Sequence, residues 1–128
     1  MPSIVSPFTV VARPADPPAG QPPFVGRTVF DKQFAGPLVA TGVVEMVYAA
    51  GDDGPLQYVA IERIEGVLEG RSGAFALQHV GSMAGGVPTI VLTVVAGSGT
   101  GDLDGLSGGG TIVHTDDGAR LELDYSLG

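Results

Sequence analysis

The chain has 128 residues, with fourteen acidic side chains against six basic ones and a net charge of −8. That length suits one domain that buries somewhat less than ~70% of its unfolded surface. The acidic balance repels phosphate backbones and anionic membrane surfaces, so neither nucleic acid nor a membrane is an expected partner. There is no cysteine, hence no disulfide framework and no thiolate metal site, which fits a reducing compartment. Met1-Pro2-Ser3-Ile4-Val5-Ser6-Pro7 lacks a basic leader region, and no apolar run approaches 18 residues, so a cytoplasmic location is expected.

In chain order, nearly every segment alternates with period 2 or is apolar and β-branched, and none reads as a convincing helix. The expected strands are Phe8 to Arg13, Phe24 to Ala35, Leu38 to Ala49, Leu56 to Glu69, Gly73 to Met83, Val87 to Ala96, Gly108 to Thr115 and Ala119 to Leu127. A Pro-rich loop (14–23) separates the first two strands. Gly36-Pro37, Gly51 to Pro55, Gly70-Arg71, Ala84 to Gly86, the run from Gly97 to Gly110, and Asp116 to Gly118 supply the other turns. Eight antiparallel strands with short turns suggest an all-β single domain over 1–128, either an up-and-down barrel or a sandwich.

The run from Gly97 to Gly110 holds seven glycines in fourteen residues. A phosphate loop would need Lys-Ser or Lys-Thr after its last glycine and a following helix. Here Asp102 and Asp104 stand where the anion would sit, and Thr111-Ile112-Val113-His114-Thr115 continues as a strand, so the run reads as a glycine-rich corner of a β-structure.

A two-residue turn at Gly70-Arg71 pairs Glu69 with Ser72, Ile64 with Leu77, and Glu62 with His79. One face of this hairpin then carries Tyr58, Ala60, Glu62, Ile64, Leu68, Phe75, Leu77 and His79. The other, more polar, carries Arg63, Glu65 and Gln78 among Val59, Ile61, Val67, Ala74 and Ala76. The same alternation turns inward Phe8 and Val10, Phe30 and Phe34, Leu38, Val44, Met46 and Tyr48. Ile90, Leu92 and Val94, Ile112 and His114, and Leu121, Leu123 and Tyr125 complete the inward set. Lys32 shares the phase of Phe30 and Phe34, but a lysine near a strand end is expected to snorkel to water.

The polar exceptions on the apolar face are where chemistry can reside. Glu62 and His79 form either a desolvated carboxylate–imidazole pair able to pass a proton or a satisfied structural pair near one barrel end. Tyr48, Tyr58, Tyr125 and His114 are further donors, although His114 alone reads more simply as a structural or rim histidine. Two histidines at unrelated spacing do not make a metal site, and no nucleophile elbow or serine triad is present, so no metal or cofactor is expected.

The stretch Glu62 to Gly81, with Val94 to Leu106, Phe30 to Gly36 and Leu121 to Tyr125, resembles a bacterial family of domains of unknown function over roughly residues 28 to 127. That family in turn resembles the allene oxide cyclase and dirigent proteins. Their Gly-Thr-Gly-x-Φ-x-x-x-x-Gly pattern, with Φ apolar, is matched by Gly99-Thr100-Gly101-Asp102-Leu103 and Gly108. The resemblance implies an eight-stranded antiparallel up-and-down barrel, allene oxide cyclase-like, that works without a cofactor. Such barrels enclose a hydrophobic small molecule, steer its cyclisation or coupling, and commonly assemble into oligomers. Pro37 to Gly42 and the Pro-rich loop depart from the family's pattern.

The candidate catalytic residues are therefore Glu62, His79, Tyr58 and Tyr125. Candidate ligand-binding residues are Phe30, Phe34, Met46, Tyr48, Ile64, Phe75, Leu77, Leu92, His114 and Leu123. Two functions stand side by side: a cofactor-free isomerase or cyclase in natural-product or lipid-type chemistry, and a lipocalin-like carrier of a lipophilic molecule. A barrel filled entirely by side chains is the third reading. Outward valines and isoleucines on the same strands lead to the expectation of a homo-oligomer, dimer or trimer.

Overall fold

A computed structural model describes residues 2–128. The strands are β1 (Ser3–Ala12), β2 (Phe24–Phe34), β3 (Leu38–Gly51), β4 (Gly54–Leu68), β5 (Arg71–Ser82), β6 (Thr89–Val94), β7 (Ser107–Thr115) and β8 (Gly118–Ser126). Each pairs antiparallel with the next, and β1 pairs with β8, so the sheet closes as an up-and-down barrel. The only helical turns among the described residues are two short 3-10 pieces, Ala84–Gly86 and Gly101–Leu103. Closure removes the exposed edges that an open sheet would present.

The strand bounds correct the sequence reading in several places. β1 begins at Ser3 rather than Phe8, which brings Ile4 and Ser6 into the interior; both are buried. The Ser6 hydroxyl donates to the Ala35 carbonyl and accepts from the Leu38 amide at 3.1 Å, holding the β2–β3 turn against β1. The β4–β5 turn falls on Glu69-Gly70, not Gly70-Arg71, because both positions take positive φ (46° and 84°), as a tight hairpin turn requires. The register therefore moves by two residues: Leu68 faces Arg71, Ile64 faces Phe75, Glu62 faces Leu77, and Ala60 faces His79. A shift of two keeps every side chain on its face, so the inward set survives the error.

The two ends of the barrel differ. At one end the turns between β2 and β3 and between β4 and β5 meet the 95–106 loop, which runs beside β5 beyond the last residue of β6. The Thr100 amide donates to the Ala74 carbonyl at 2.8 Å, and the Ala74 amide donates to Thr100 Oγ1 at 3.0 Å. Ala74, expected to face outward, is buried there. This loop drives Leu103 and Leu106 into the barrel, where they join Ile4, Leu38, Leu68, Phe75, Leu121, Leu123 and Tyr125 in one apolar cluster. Each fully buried leucine contributes roughly 1.5–3 kcal/mol. The glycine run is thus the plug of the barrel's closed end. At the opposite end lie the turns after β3, β5 and β7, and there the interior is open.

On the outer face, Val47, Val59, Val80 and Val91 lie directly beside one another across β3, β4, β5 and β6. All four are exposed.

Candidate functional site

Above the packed cluster, three ionisable side chains meet inside the barrel. Glu62 on β4 is 1% exposed, His79 on β5 2%, and Lys32 on β2 6%. Glu62 Oε1 accepts from Lys32 Nζ at 3.2 Å and lies 2.8 Å from His79 Nε2. The contact with His79 is diagonal, since His79 stands opposite Ala60, two residues along β4. The second carboxylate oxygen, Oε2, is buried without a hydrogen-bond partner.

Gly42 on β3 makes room for this carboxylate. A Cβ there would collide with Glu62 Oε2 and lie 3.1 Å from Phe34 Cε2. Lys32 Nζ sits 4.4 Å from the centroid of the Phe8 ring and 5.9 Å from that of Phe34, so aromatic faces cover the ammonium where water otherwise would.

Lys32 is the main correction to the sequence reading at this site. It does not snorkel, because the Phe8 and Phe34 rings cover its ammonium and Glu62 offers the charge a nearer partner than bulk water. Burial pulls the Lys32 amine below its ordinary value, partly opposed by the charge and hydrogen bond of Glu62. The Tyr58 phenol is pushed up, first by burial and then by the Glu62 charge. Isolated charges in such a place are costly, and a buried pair holds only when both members remain.

Lys32 and His79, with Glu62 behind them, stand at the floor of a chamber of about 260 Å³. Lys32 and His79 line it with Phe8, Val10, Phe30, Val44, Met46, Tyr58, Ile90, Ile112 and His114. A wider chamber of about 570 Å³ adjoins it at the open end and shares Met46, Tyr58, Ile90 and His114. The side chains of Tyr48, Leu56, Met83 and Pro88 frame this outer part. Tyr48 and Tyr58 fit there because their rings lie over Gly26 and Gly81, where any side chain would collide with them.

Of the candidate residues, the structure brings together Glu62, His79, Tyr58, Phe30, Met46, Tyr48 and His114 in or beside these chambers. His114 is exposed, on the side of the opening. Phe34 packs on Phe8 at 5.3 Å between ring centroids, next to Lys32. Ile64, Phe75, Leu77, Leu92 and Leu123 are in the packed cluster below and do not line either chamber. Tyr125 lies at the closed end, where its hydroxyl donates to the Glu69 carboxylate. That bond, with burial, pushes the phenol up.

Phe8, Val10, Val44, Ile90 and Ile112 were legible as inward-facing but not as chamber walls, because period 2 tells face and not height along the barrel. Among the described residues no three of His, Cys, Asp and Glu converge to hold a metal ion. Among the described residues no helix is long and apolar enough to cross a membrane.

Residues 4–126 match the family DUF3224, described as a protein of unknown function. The chain belongs to the DUF3224 family. A solved structure of a DUF3224 protein of unknown function from Shewanella oneidensis MR-1, at 1.84 Å resolution, is similar with a TM-score of 0.90 at 36% sequence identity. The match covers 100% of this chain and 98% of that one. No curated protein matches. DUF3224 thus accounts for the first part of the resemblance noted in the sequence and for nearly the whole chain.

Proposed function

We propose that this DUF3224 barrel admits a hydrophobic small molecule through its open end and isomerises or cyclises it without a cofactor, at the floor formed by Lys32 and His79 with Glu62 behind them. One observation carries the reading: an apolar two-part cavity narrows onto a single buried cluster of ionisable groups. Apolar walls restrict a flexible guest to few conformers, an effect able to contribute several kcal/mol to a unimolecular step. Glu62, with Lys32 and His79 both against Oε1 and Oε2 unpartnered, is the proton acceptor; Tyr58 above it is the donor. The likeness of the Gly99 to Gly108 pattern to allene oxide cyclase and dirigent barrels supports the same mode of action. A cytoplasmic location and assembly as a dimer or trimer are further parts of the proposal. The row Val47–Val59–Val80–Val91 is the contact face, because it carries no acidic side chain on a molecule of charge −8.

The test is isomerisation of an apolar β,γ-unsaturated ketone to its conjugated isomer, followed by ultraviolet absorbance. The expected result is turnover that Glu62→Gln and His79→Ala each abolish; turnover unchanged in both variants overturns the proton-transfer step. The wall of the outer chamber, almost entirely apolar, favours carriage of a lipophilic ligand as the second reading. Saturable binding of N-phenyl-1-naphthylamine with no turnover of the ketone selects it.

A further inference from the structure

Lys32 is the chain's one lysine; its other five basic residues are arginines. Lysine is the residue most at home on a protein surface, and a −8 surface would welcome it. Here it is 6% exposed and lines the inner chamber, with its amine beside two aromatic rings and a carboxylate. A buried lysine whose charge only balanced Glu62 would cost no more if both were replaced by apolar residues. The structure keeps the pair instead, with Lys32 at the floor of the inner chamber and Glu62 behind it.

We propose that Lys32 is a carbonyl-capturing amine, which condenses with an apolar aldehyde or ketone seated in the inner chamber to form an iminium held against Glu62. The inference rests on the reading that the chamber takes an apolar guest, and it names the guest's reactive group. A carbonyl compound fits better than a fatty carboxylate. With Lys32 and Glu62 already summing to zero charge, an anionic guest would bring an uncompensated negative charge into an apolar chamber, whereas a carbonyl is neutral.

The chemistry balances on the groups present. The Lys32 ammonium passes a proton to Glu62, 3.2 Å away, and frees its lone pair. That pair forms the C–N bond as the carbonyl π bond breaks, and one N–H proton moves to the oxygen to give the carbinolamine. Glu62 then returns its proton to the hydroxyl, the C–O bond breaks, and water leaves. The product is an iminium cation beside the Glu62 carboxylate, the same charges as at the start. No oxidant or reductant takes part. Desolvation is one of the ways in which proteins activate a lysine for this step, and Glu62 serves here as the proton shuttle, not as the activator.

The test uses the intact protein with decanal and sodium cyanoborohydride at neutral pH, read by intact mass and peptide mapping, with decanol and decanoate as non-condensing ligands that displace N-phenyl-1-naphthylamine. The expected result is one reduced adduct on Lys32, formed at least roughly tenfold faster than on N-acetyl-lysine methyl ester, blocked by excess decanol and absent in Lys32→Met. Mapping on the wild-type chain keeps the test independent of how well that variant folds. Modification confined to the N-terminal amine while decanol still displaces the dye overturns the inference and leaves the binding reading intact. Decanoate displacing the dye better than decanol, with no Lys32 adduct, overturns it in favour of an anion site. Failure of all three ligands to bind or react overturns both readings.

Discussion

Replacing Lys32 by methionine keeps an unbranched side chain one atom shorter and removes its charge, so it isolates what the buried pair does for the fold. In the native chain Glu62 is 1% exposed and its Oε1 is held at 3.2 Å by the lysine and 2.8 Å by His79, with Oε2 unpartnered. Removing the ammonium leaves a buried carboxylate with one imidazole contact, and uncompensated buried charges of this kind cost about 3–5 kcal/mol. Set against a total stability of about 5–15 kcal/mol for a domain, that loss is large. The double variant Lys32→Met/Glu62→Gln removes both charges and keeps a side chain that His79 can hydrogen-bond. It should recover most of the loss, because swapping out both members of such a pair is often neutral or stabilising. Urea unfolding followed by circular dichroism measures all three chains, with equal slopes as the check that only stability has changed. A single variant within about 1 kcal/mol of wild type, or a double variant no more stable than the single, would refute the claim that the two charges are buried as a mutually dependent pair.

Three other outcomes follow from the same geometry. Because burial holds the Lys32 amine below 10.5 in the folded chain, the unfolded chain binds that proton more tightly, and stability rises with pH from the folded value up to 10.5. The wild type should therefore gain on Lys32→Met as pH is raised through that window, and a narrowing gap in paired urea titrations would show the opposite shift. Leu103, 1% exposed in the plug, should cost about 2–5 kcal/mol on replacement by alanine without changing dye affinity at the open end; a weakened dye site would place the loop nearer the cavity than it lies. Val59→Asp, in the middle of the outer valine row, should convert a dimer or trimer to monomer in light scattering, and an unchanged mass removes that row as the contact.

Much of the architecture was legible from residue alternation, since a closed antiparallel barrel buries one face of every strand and so writes period 2 into its sequence. The sequence pattern puts the Glu69-Gly70 hairpin one residue late because Glu69 is the sole non-glycine with positive φ among the described residues, a conformation its side chain gives no hint of. Its carboxylate is tied down by Tyr125, a partner 56 residues away. Leu103 and Leu106 were hidden in the glycine run, where no periodicity marks a core residue. At the site, Glu62 and His79 were found because they break an apolar phase. Lys32 breaks the same phase, but its nearness to the strand end argues for snorkelling, and what decides its position, the Phe8 ring and the Glu62 carboxylate, comes from other strands.

The central claim is that the lumen, not the outer surface, receives an apolar guest down to Lys32. Titration of the 15N-labelled chain with decanol tests it most directly by amide chemical shifts. The account predicts saturable changes clustered at Met46, Tyr58, Ile90 and His114 and reaching Lys32 and His79, all lost when Ile90→Trp fills the junction of the two chambers. Changes confined to Val47, Val59, Val80 and Val91, or unaffected by Ile90→Trp, would contradict it.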